Sequence, residues 1–276
     1  MRGIMQAKKL FYVFCCFLVL VVCFGLLSAN TDSVDSESGH TTEGTPQGID
    51  DSFMNQSKEE FLLALSGLRD DTSASRELIS IGYALLNRSD ITPEDYITLM
   101  MDSENTFVLR QLAIECYAKK LPDSRMDDRV ITFLSDSGEA PSLRTIAIVM
   151  LQEHFDTQNE AQLAAVLSAA ESEDEALSYN AIKAMQRVWP EQALEIAQDI
   201  YENFEEESPA RINIACKVFA QHYAFQQEEH INEDEVDRFV EKSVEIYHAM
   251  GNAEIKSVIP EALDLLPERY TKDIVW

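Results

Sequence analysis

The segment SLRTIAIVML at residues 142–151 has three counterparts in the chain, displaced from one another by 34 residues. They are VLRQLAIECY at 108–117, ALSYNAIKAM at 176–185 and ARINIACKVF at 210–219. The segments align on four alanines: Ala113, Ala147, Ala181 and Ala215. A fixed period of roughly 20 to 50 residues is the signature of a repeat architecture, in which each unit covers the apolar face of its neighbour. The spacing therefore predicts a repeat protein.

Each repeat is predicted to be a pair of antiparallel α-helices. Apolar residues recur at every third or fourth position, as in Leu163, Val166 and Leu167, and this spacing is typical of one face of a helix. The helices of two successive repeats are placed at about 142–154, 158–170, 175–188 and 191–204. The predicted fold class is therefore all-α, an α-solenoid of antiparallel helix pairs.

Local signals mark where these helices begin. Four segments have the pattern of a capping box, in which a polar side chain accepts a hydrogen bond from an unpaired N–H of the first turn. They start at Ser57, Thr92, Thr157 and Asn232. Five prolines are predicted at or near first turns, where the missing N–H costs nothing. These are Pro93, Pro141, Pro190, Pro209 and Pro260.

Residues 1–29 are predicted to be a signal peptide or a membrane anchor. Residues 1–9 carry three basic side chains and residues 10–29 carry no charge, which is typical of export signals. The apolar run is also long enough to span a bilayer, so cleavage and retention both stay open. Cys23 ends a segment that loosely resembles a bacterial lipobox, and its lipidation stays open too. Either form is expected to place the body of the chain outside the cytoplasm, membrane-anchored or secreted/periplasmic.

The remainder divides into a linker and a repeat domain. Residues 30–57 are rich in Ser, Thr, Gly and Asp and contain no Lys or Arg, which predicts an acidic flexible linker. Residues 58–276 are predicted to form the α-helical repeat domain. Within it, Cys116 and Cys216 lie three repeats apart, too far for a disulfide, so we expect both to be small buried side chains.

The charge balance restricts the class of partner. The net charge is −27, with 22 basic and 49 acidic residues. Such a chain repels nucleic-acid phosphates and anionic lipids. We therefore expect no nucleic-acid partner, and a membrane only through the N-terminal segment if it is uncleaved. The charged partners that fit are basic proteins or cations, although solubility alone also explains the charge.

At the repeated segments the chain resembles the HEAT-repeat family. The turn into a repeat carries an apolar residue and an aspartate, followed by leucine, arginine and alanine. In one repeat these are Leu134, Asp136, Leu143, Arg144 and Ala147, and in the preceding one Met100, Asp102, Leu109, Arg110 and Ala113. The aspartate precedes the arginine by eight residues, a wider spacing than the family's. The resemblance covers about 70–250 and implies an α-solenoid that binds proteins.

The turns between repeats are acidic, and the 34-residue period is expected to stack them along one edge. The candidate residues are Asp102, Glu104, Asp136, Glu139, Glu171, Glu173, Asp174, Glu175, Glu205, Glu206 and Glu207. One hypothesis is a docking edge for a basic partner or for divalent cations. The other is that these acids complement the helix dipoles and keep the array soluble. None of the turns has the EF-hand pattern of a calcium site.

No motif for catalysis or for a cofactor occurs in the sequence. HExxH, CxxC, GxSxG, GxGxxG and a P-loop are all missing. We therefore expect no catalytic residue, no cofactor and no metal site. The leading hypothesis is a non-enzymatic protein–protein interaction scaffold or adaptor exported to or tethered in the cell envelope. The alternatives are a regulatory or chaperone-like subunit of an envelope enzyme complex, and a divergent hydrolase.

Overall fold

The computed structural model of the chain is all-helical. It describes residues 52–66, 76–121, 126–225, 232–272 and 274, and these contain 14 α-helices and no β-strand. The predicted signal peptide or anchor, Cys23 within it and residues 30–51 of the predicted linker lie outside the described residues. No helix in the described part of the chain is both long and apolar enough to cross a membrane. The all-α prediction is confirmed for the described residues.

We number the helices in chain order. They are α1 (Ser52–Asn55), α2 (Lys58–Ser66), α3 (Arg76–Asn87), α4 (Pro93–Met101), α5 (Phe107–Lys120), α6 (Asp128–Ser135), α7 (Pro141–Leu151), α8 (Glu160–Ala170), α9 (Glu175–Val188), α10 (Pro190–Glu202), α11 (Pro209–Phe225), α12 (Glu233–Ala249), α13 (Ala253–Leu263) and α14 (Glu268–Thr271). Short 3₁₀ turns follow α7 at Gln152–His154 and α10 at Phe204–Glu206. The four helices placed from sequence correspond to α7, α8, α9 and α10, with ends that differ by a few residues.

The chain divides into two compact units. The first comprises Met1–Thr92 and Glu104–Leu109, and the second comprises Pro93–Ser103 and Arg110–Trp276. In the first unit α1 packs against α3, and α2 begins with the predicted capping box. The Ser57 N–H donates to Glu60 Oε2 (2.9 Å), and the Glu60 N–H donates to Ser57 Oγ (3.1 Å). Two N–H groups that lack a helical partner are satisfied in this way.

The helices of the second unit pack in two rows. In one row α7, α9, α11 and α13 pack in succession, and in the other α4 packs on α6 and α6 on α8. The rows are joined because α9 packs against both α8 and α10, and α10 packs against α11. We call α5, α7, α9 and α11 the A helices of the first to fourth repeats. The B helices are α6, α8, α10 and α12, which follow these A helices, together with α4, which precedes α5.

The alanines that define the period lie in the core. Ala113, Ala147, Ala181 and Ala215 are all 0% exposed. The residues that follow the first three are also fully buried, since Ile114, Ile148 and Ile182 are 0% exposed. One 34-residue register therefore describes the buried side of every A helix, as predicted from the sequence. Cys116 and Cys216 are buried free thiols, which confirms the expectation that they do not pair.

Two of the predicted helix starts need correction. The cap of α8 is Asn159 rather than Thr157: Asn159 Oδ1 accepts hydrogen bonds from the N–H groups of Ala161 and Gln162, both at 3.1 Å. The 3₁₀ turn after α7 lengthens the connection, so α8 begins later than the sequence suggested. Asn232 is the cap residue of α12, but its side chain accepts no hydrogen bond from a backbone N–H of the first turn. Its amide donates instead to the Glu235 carboxylate (2.8 Å).

Four of the five predicted helix-starting prolines are confirmed and one is not. Pro93, Pro141, Pro190 and Pro209 are each the first residue of a helix, as predicted. The prediction for Pro260 was wrong, because it lies inside α13. An interior proline removes one helical hydrogen bond. Here the buried face of α13 packs on α11 and keeps the helix together, with Ile255 and Ile259 both 0% exposed.

Candidate functional site

The predicted acidic residues all lie in or directly beside the turns that lead from a B helix to the next A helix. Glu104 belongs to the first compact unit and the others to the second. Two of them serve the turns themselves. Asp136 Oδ1 accepts from the Gly138 N–H (2.8 Å), and Asp174 Oδ1 caps α9 by accepting from the Leu177 N–H (2.9 Å). These two acids therefore have structural roles, and the continuous docking edge stays a prediction.

We call the turns from α4 to α5, from α6 to α7 and from α8 to α9 the first, second and third junctions. A buried arginine, Arg110, lies at the first junction. Arg110 Nε donates to the carbonyl oxygen of Met100 at the end of α4 (2.7 Å). Its two terminal nitrogens donate to the carboxylate of Glu139, with Nη1 3.0 Å from Oε1 and Nη2 also bonded to Oε2. The arginine thus satisfies a helix-terminal carbonyl and forms a bidentate ion pair with the next turn. Its hydrogen-bond partners are this carbonyl and Glu139 rather than Asp102.

The second junction repeats only half of this arrangement. Arg144 Nε donates to the carbonyl oxygen of Leu134 at the end of α6 (2.8 Å), as Arg110 does one repeat earlier. However, Arg144 Nη2 is buried and has no hydrogen-bond partner among the described residues. Burial lowers the pKa of Arg144, and the nearby charge of Asp136 opposes that effect.

The third junction is built from different residues. Ser178 stands 34 residues after Arg144, and its hydroxyl donates to the carbonyl oxygen of Ala170 at the end of α8 (2.6 Å). Arg211, from the next A helix, donates from Nη1 to the same carbonyl (2.7 Å) and to Ser178 Oγ (2.8 Å). Arg211 Nε also donates to Glu207 (2.6 Å). A serine and a displaced arginine therefore replace the arginine that the period leads one to expect.

The most uniform charged surface lies on a B helix and was not singled out from the sequence. Helix α10 contains four acidic residues and no basic one, and all four are exposed. They are Glu191, Glu195, Asp199 and Glu202. Steps of four, four and three residues place them on one side of the helix. A search for periodic charge along the predicted helices would have found this acidic face.

The next B helix, α12, is also rich in exposed acidic residues. Helix α12 exposes six acidic residues, Glu233, Asp234, Glu235, Asp237, Glu241 and Glu245. It contacts α10 through aromatic and hydroxyl groups, since the rings of Tyr201 and Phe239 lie 5.8 Å apart and Tyr201 Oη is 3.3 Å from Ser243 Oγ. The A helix between them differs, because α11 has Arg211 and Lys217 and no acidic residue. In this part of the second unit, α10 and α12 therefore carry many exposed acids and α11 carries none, and α12 also contains Arg238 and Lys242.

Burial shifts the pKa of one described thiol and of one described histidine. Burial raises the pKa of the Cys216 thiol to about 11, so it stays protonated at neutral pH. His222 is half-buried, and burial lowers its pKa. Within the described ranges there is no group of three or more His, Cys, Asp or Glu side chains that could hold a metal ion. His40 and His230 lie outside the described residues.

Comparison of the chain with protein-family models, with curated proteins and with solved structures found no match.

Proposed function

We propose that the chain is an α-solenoid of HEAT-like repeats that acts as a non-enzymatic scaffold or adaptor for other proteins. The fully buried alanine register and the packing of helices in neighbouring pairs support the repeat assignment. In such an array each repeat contacts mainly its neighbours, so the outer sides of many helices stay available for partners. Binding of another protein is the activity that such a surface serves best.

The partner that fits this surface is a basic protein. The observation that carries the proposal is the acidic face of α10, where four exposed carboxylates share one side of a helix that has no basic residue. Opposite charges across an interface speed association and select partners. Because the wider chain carries a net charge of −27, its field attracts the same class of partner over longer distances.

A role in solubility alone explains the acidic face of α10 less well than a role in binding does. Like charges four residues apart on a helix destabilise it by about 0.2–0.5 kcal/mol per pair. Glu191, Glu195 and Asp199 form two such pairs in succession. By contrast, several acids of the turns are offset by partners, as Glu139 is by Arg110 and Glu207 by Arg211. Three of the four acids of α10 thus repel one another along the helix, and no basic residue of that helix offsets them, which favours a role in binding.

The proposed location is the cell envelope. The basic and then uncharged sequence of residues 1–29 supports export, either as a cleaved protein or as one tethered to the membrane. A tethered scaffold would hold its basic partner close to the membrane surface.

The test is an affinity capture of the full chain from gently solubilised native membranes, washed first at low and then at high salt. Wild type is compared with a variant in which Glu191, Glu195 and Glu202 of α10 are changed to Gln. A matched control changes Glu171, Glu175 and Glu205 of the turns to Gln and removes the same charge. Bound proteins are identified by mass spectrometry and their isoelectric points compared.

We expect a reproducible basic partner that high salt releases, because ion pairs at an exposed interface are screened. The α10 variant should lose this partner and the turn variant should retain it. Equal loss from both variants would show that net charge rather than the acidic face drives binding. Retention by the α10 variant, or a partner that is not basic, would overturn the proposed surface.

A further inference from the structure

Three glutamates occupy the same place in successive repeats. Glu139, Glu173 and Glu207 are spaced by 34 residues, and each lies two residues before the first residue of an A helix, namely Pro141, Glu175 and Pro209. Each therefore has the same sequence position relative to the A helix that follows it.

Two of the three glutamates are engaged and the third is not. The side chains of Glu139 and Glu207 are 14% and 18% exposed, and they pair with Arg110 and Arg211. Glu173 is exposed, and it makes no hydrogen bond or ion pair with the described residues. The shared register therefore leaves Glu173 as the carboxylate of the series that is not engaged.

The group that Glu173 would engage is already in place. Arg110 and Glu139 are 29 residues apart, and the same interval leads from Arg144 to Glu173. Arg144 is held by its bond to the Leu134 carbonyl, in the way that Arg110 is held by Met100. Arg144 is 4% exposed, and its Nη2 is buried without a partner in the described part of the chain. A buried donor without an acceptor is costly, and a carboxylate is the acceptor that compensates it best.

We propose that Glu173 and Arg144 form an ionic latch between the second and third repeats, which is open in this structure. In the closed state Glu173 turns inward and accepts hydrogen bonds from the Arg144 guanidinium, completing the series that Arg110 and Glu139 begin. Closure fastens the turn before α9 to α7. Opening frees that turn, so this junction can adjust while the first and third junctions stay fixed.

The latch can be tested by hydrogen exchange of the full chain in mild detergent, followed by mass spectrometry. The readout is the exchange rate of peptides that cover residues 171–178. Wild type is compared with Glu173→Gln, which keeps the shape of the side chain and removes its charge. The matched control is Glu171→Gln, which removes the same charge from the same exposed turn.

We expect Glu173→Gln to raise the exchange rate of these peptides about three- to tenfold. This is the range for loss of one charged hydrogen bond that is formed only part of the time. Glu171→Gln should leave the rate unchanged. In an Arg144→Lys background, which loses the paired geometry, Glu173→Gln should have no further effect. If Glu173→Gln exchanges like wild type or like Glu171→Gln, the latch does not exist. An undiminished effect in the Arg144→Lys background would also overturn it.

Discussion

The first and third junctions solve one structural problem with different residues. At both, the last turn of a B helix has a carbonyl oxygen that needs a donor. Arg110 alone satisfies this need at the first junction, and Ser178 and Arg211 share it at the third. In each case a glutamate of the following turn, Glu139 or Glu207, pairs with the arginine. An arginine charge therefore lies near the end of the B helix at both junctions, although residues at different sequence positions supply it.

The contrast with the second junction shows what the complete arrangement adds. Arg144 has the carbonyl contact but lacks the carboxylate, and one of its terminal nitrogens is left buried without a partner. A guanidinium in that state contributes less, because its buried Nη2 donor has no acceptor and the nearby charge of Asp136 offsets its burial only in part. We therefore expect the three junctions to differ in stability although the alanine register beneath them is the same.

The largest expected effect comes from breaking the first junction. Arg110→Met leaves Glu139 without its counter-charge and the Met100 carbonyl without its donor, and we expect a loss of about 3 kcal/mol in the free energy of unfolding. The measurement is denaturant unfolding followed by circular dichroism. The control is Arg129→Met, which removes a bidentate pair with Glu94, whose side chains are 47% and 63% exposed, and an exposed pair with Asp127. Each of these exposed pairs should be worth less than about 1 kcal/mol. Equal losses would contradict the structural role of Arg110.

A second prediction concerns the buried register that both junctions share. Ala181→Phe should overpack the core and cost about 1–3 kcal/mol or more. Ala176→Phe, on the exposed side of the same helix, should change stability little. Thermal unfolding of the two variants checks the prediction. If Ala181→Phe melts together with wild type, the proposed 34-residue register is wrong.

The smallest effect is expected at Glu115, which lies on α5 with Arg110. Burial raises the pKa of Glu115, and the hydrogen bond from Gln111 opposes this only in part. Since the folded-state pKa lies above the unfolded value, the stabilisation from this group is present at low pH and is lost as pH rises through the folded-state pKa. Glu115→Gln should therefore raise the melting temperature at neutral pH, and the gain should vanish below about pH 4.

The control for this prediction is Glu160→Gln, which removes an exposed charge from α8, a helix that has no other acidic residue. Glu115→Gln should exceed its effect at neutral pH. A Glu115→Gln gain that is the same at every pH would show that the buried charge is not the cause.

The sequence predicted the elements that depend on regular spacing. The helix pairs, the buried alanines and four helix-starting prolines all follow from residues whose physical role is local or strictly periodic. It did not predict the third junction, because the register position there is Ser178 and the arginine that serves it, Arg211, lies on the following A helix. A long side chain can reach the junction from that helix, whereas a pattern of identical positions cannot reveal it.

The candidate site was harder to predict for a related reason. The acids of the turns stand out in the sequence because they are clustered, yet Asp136, Asp174 and Glu207 turn out to have partners within the fold. The acids of α10 are spread over a helix and become one face only when the helix is wound. Clustering along the chain therefore indicated turns, and spacing along a helix indicates the surface we propose for binding.

The most direct test of this account is a double-mutant cycle at the third junction, with Ser178→Ala and Arg211→Met measured singly and together by denaturant unfolding. If the two residues jointly replace one arginine, the effects should be coupled by about 1 kcal/mol or more, within the range for residues that share one hydrogen-bond network. Single effects that add within about 0.3–0.5 kcal/mol would mean that the residues act independently. That result would contradict the claim that successive junctions of this chain are variants of one design.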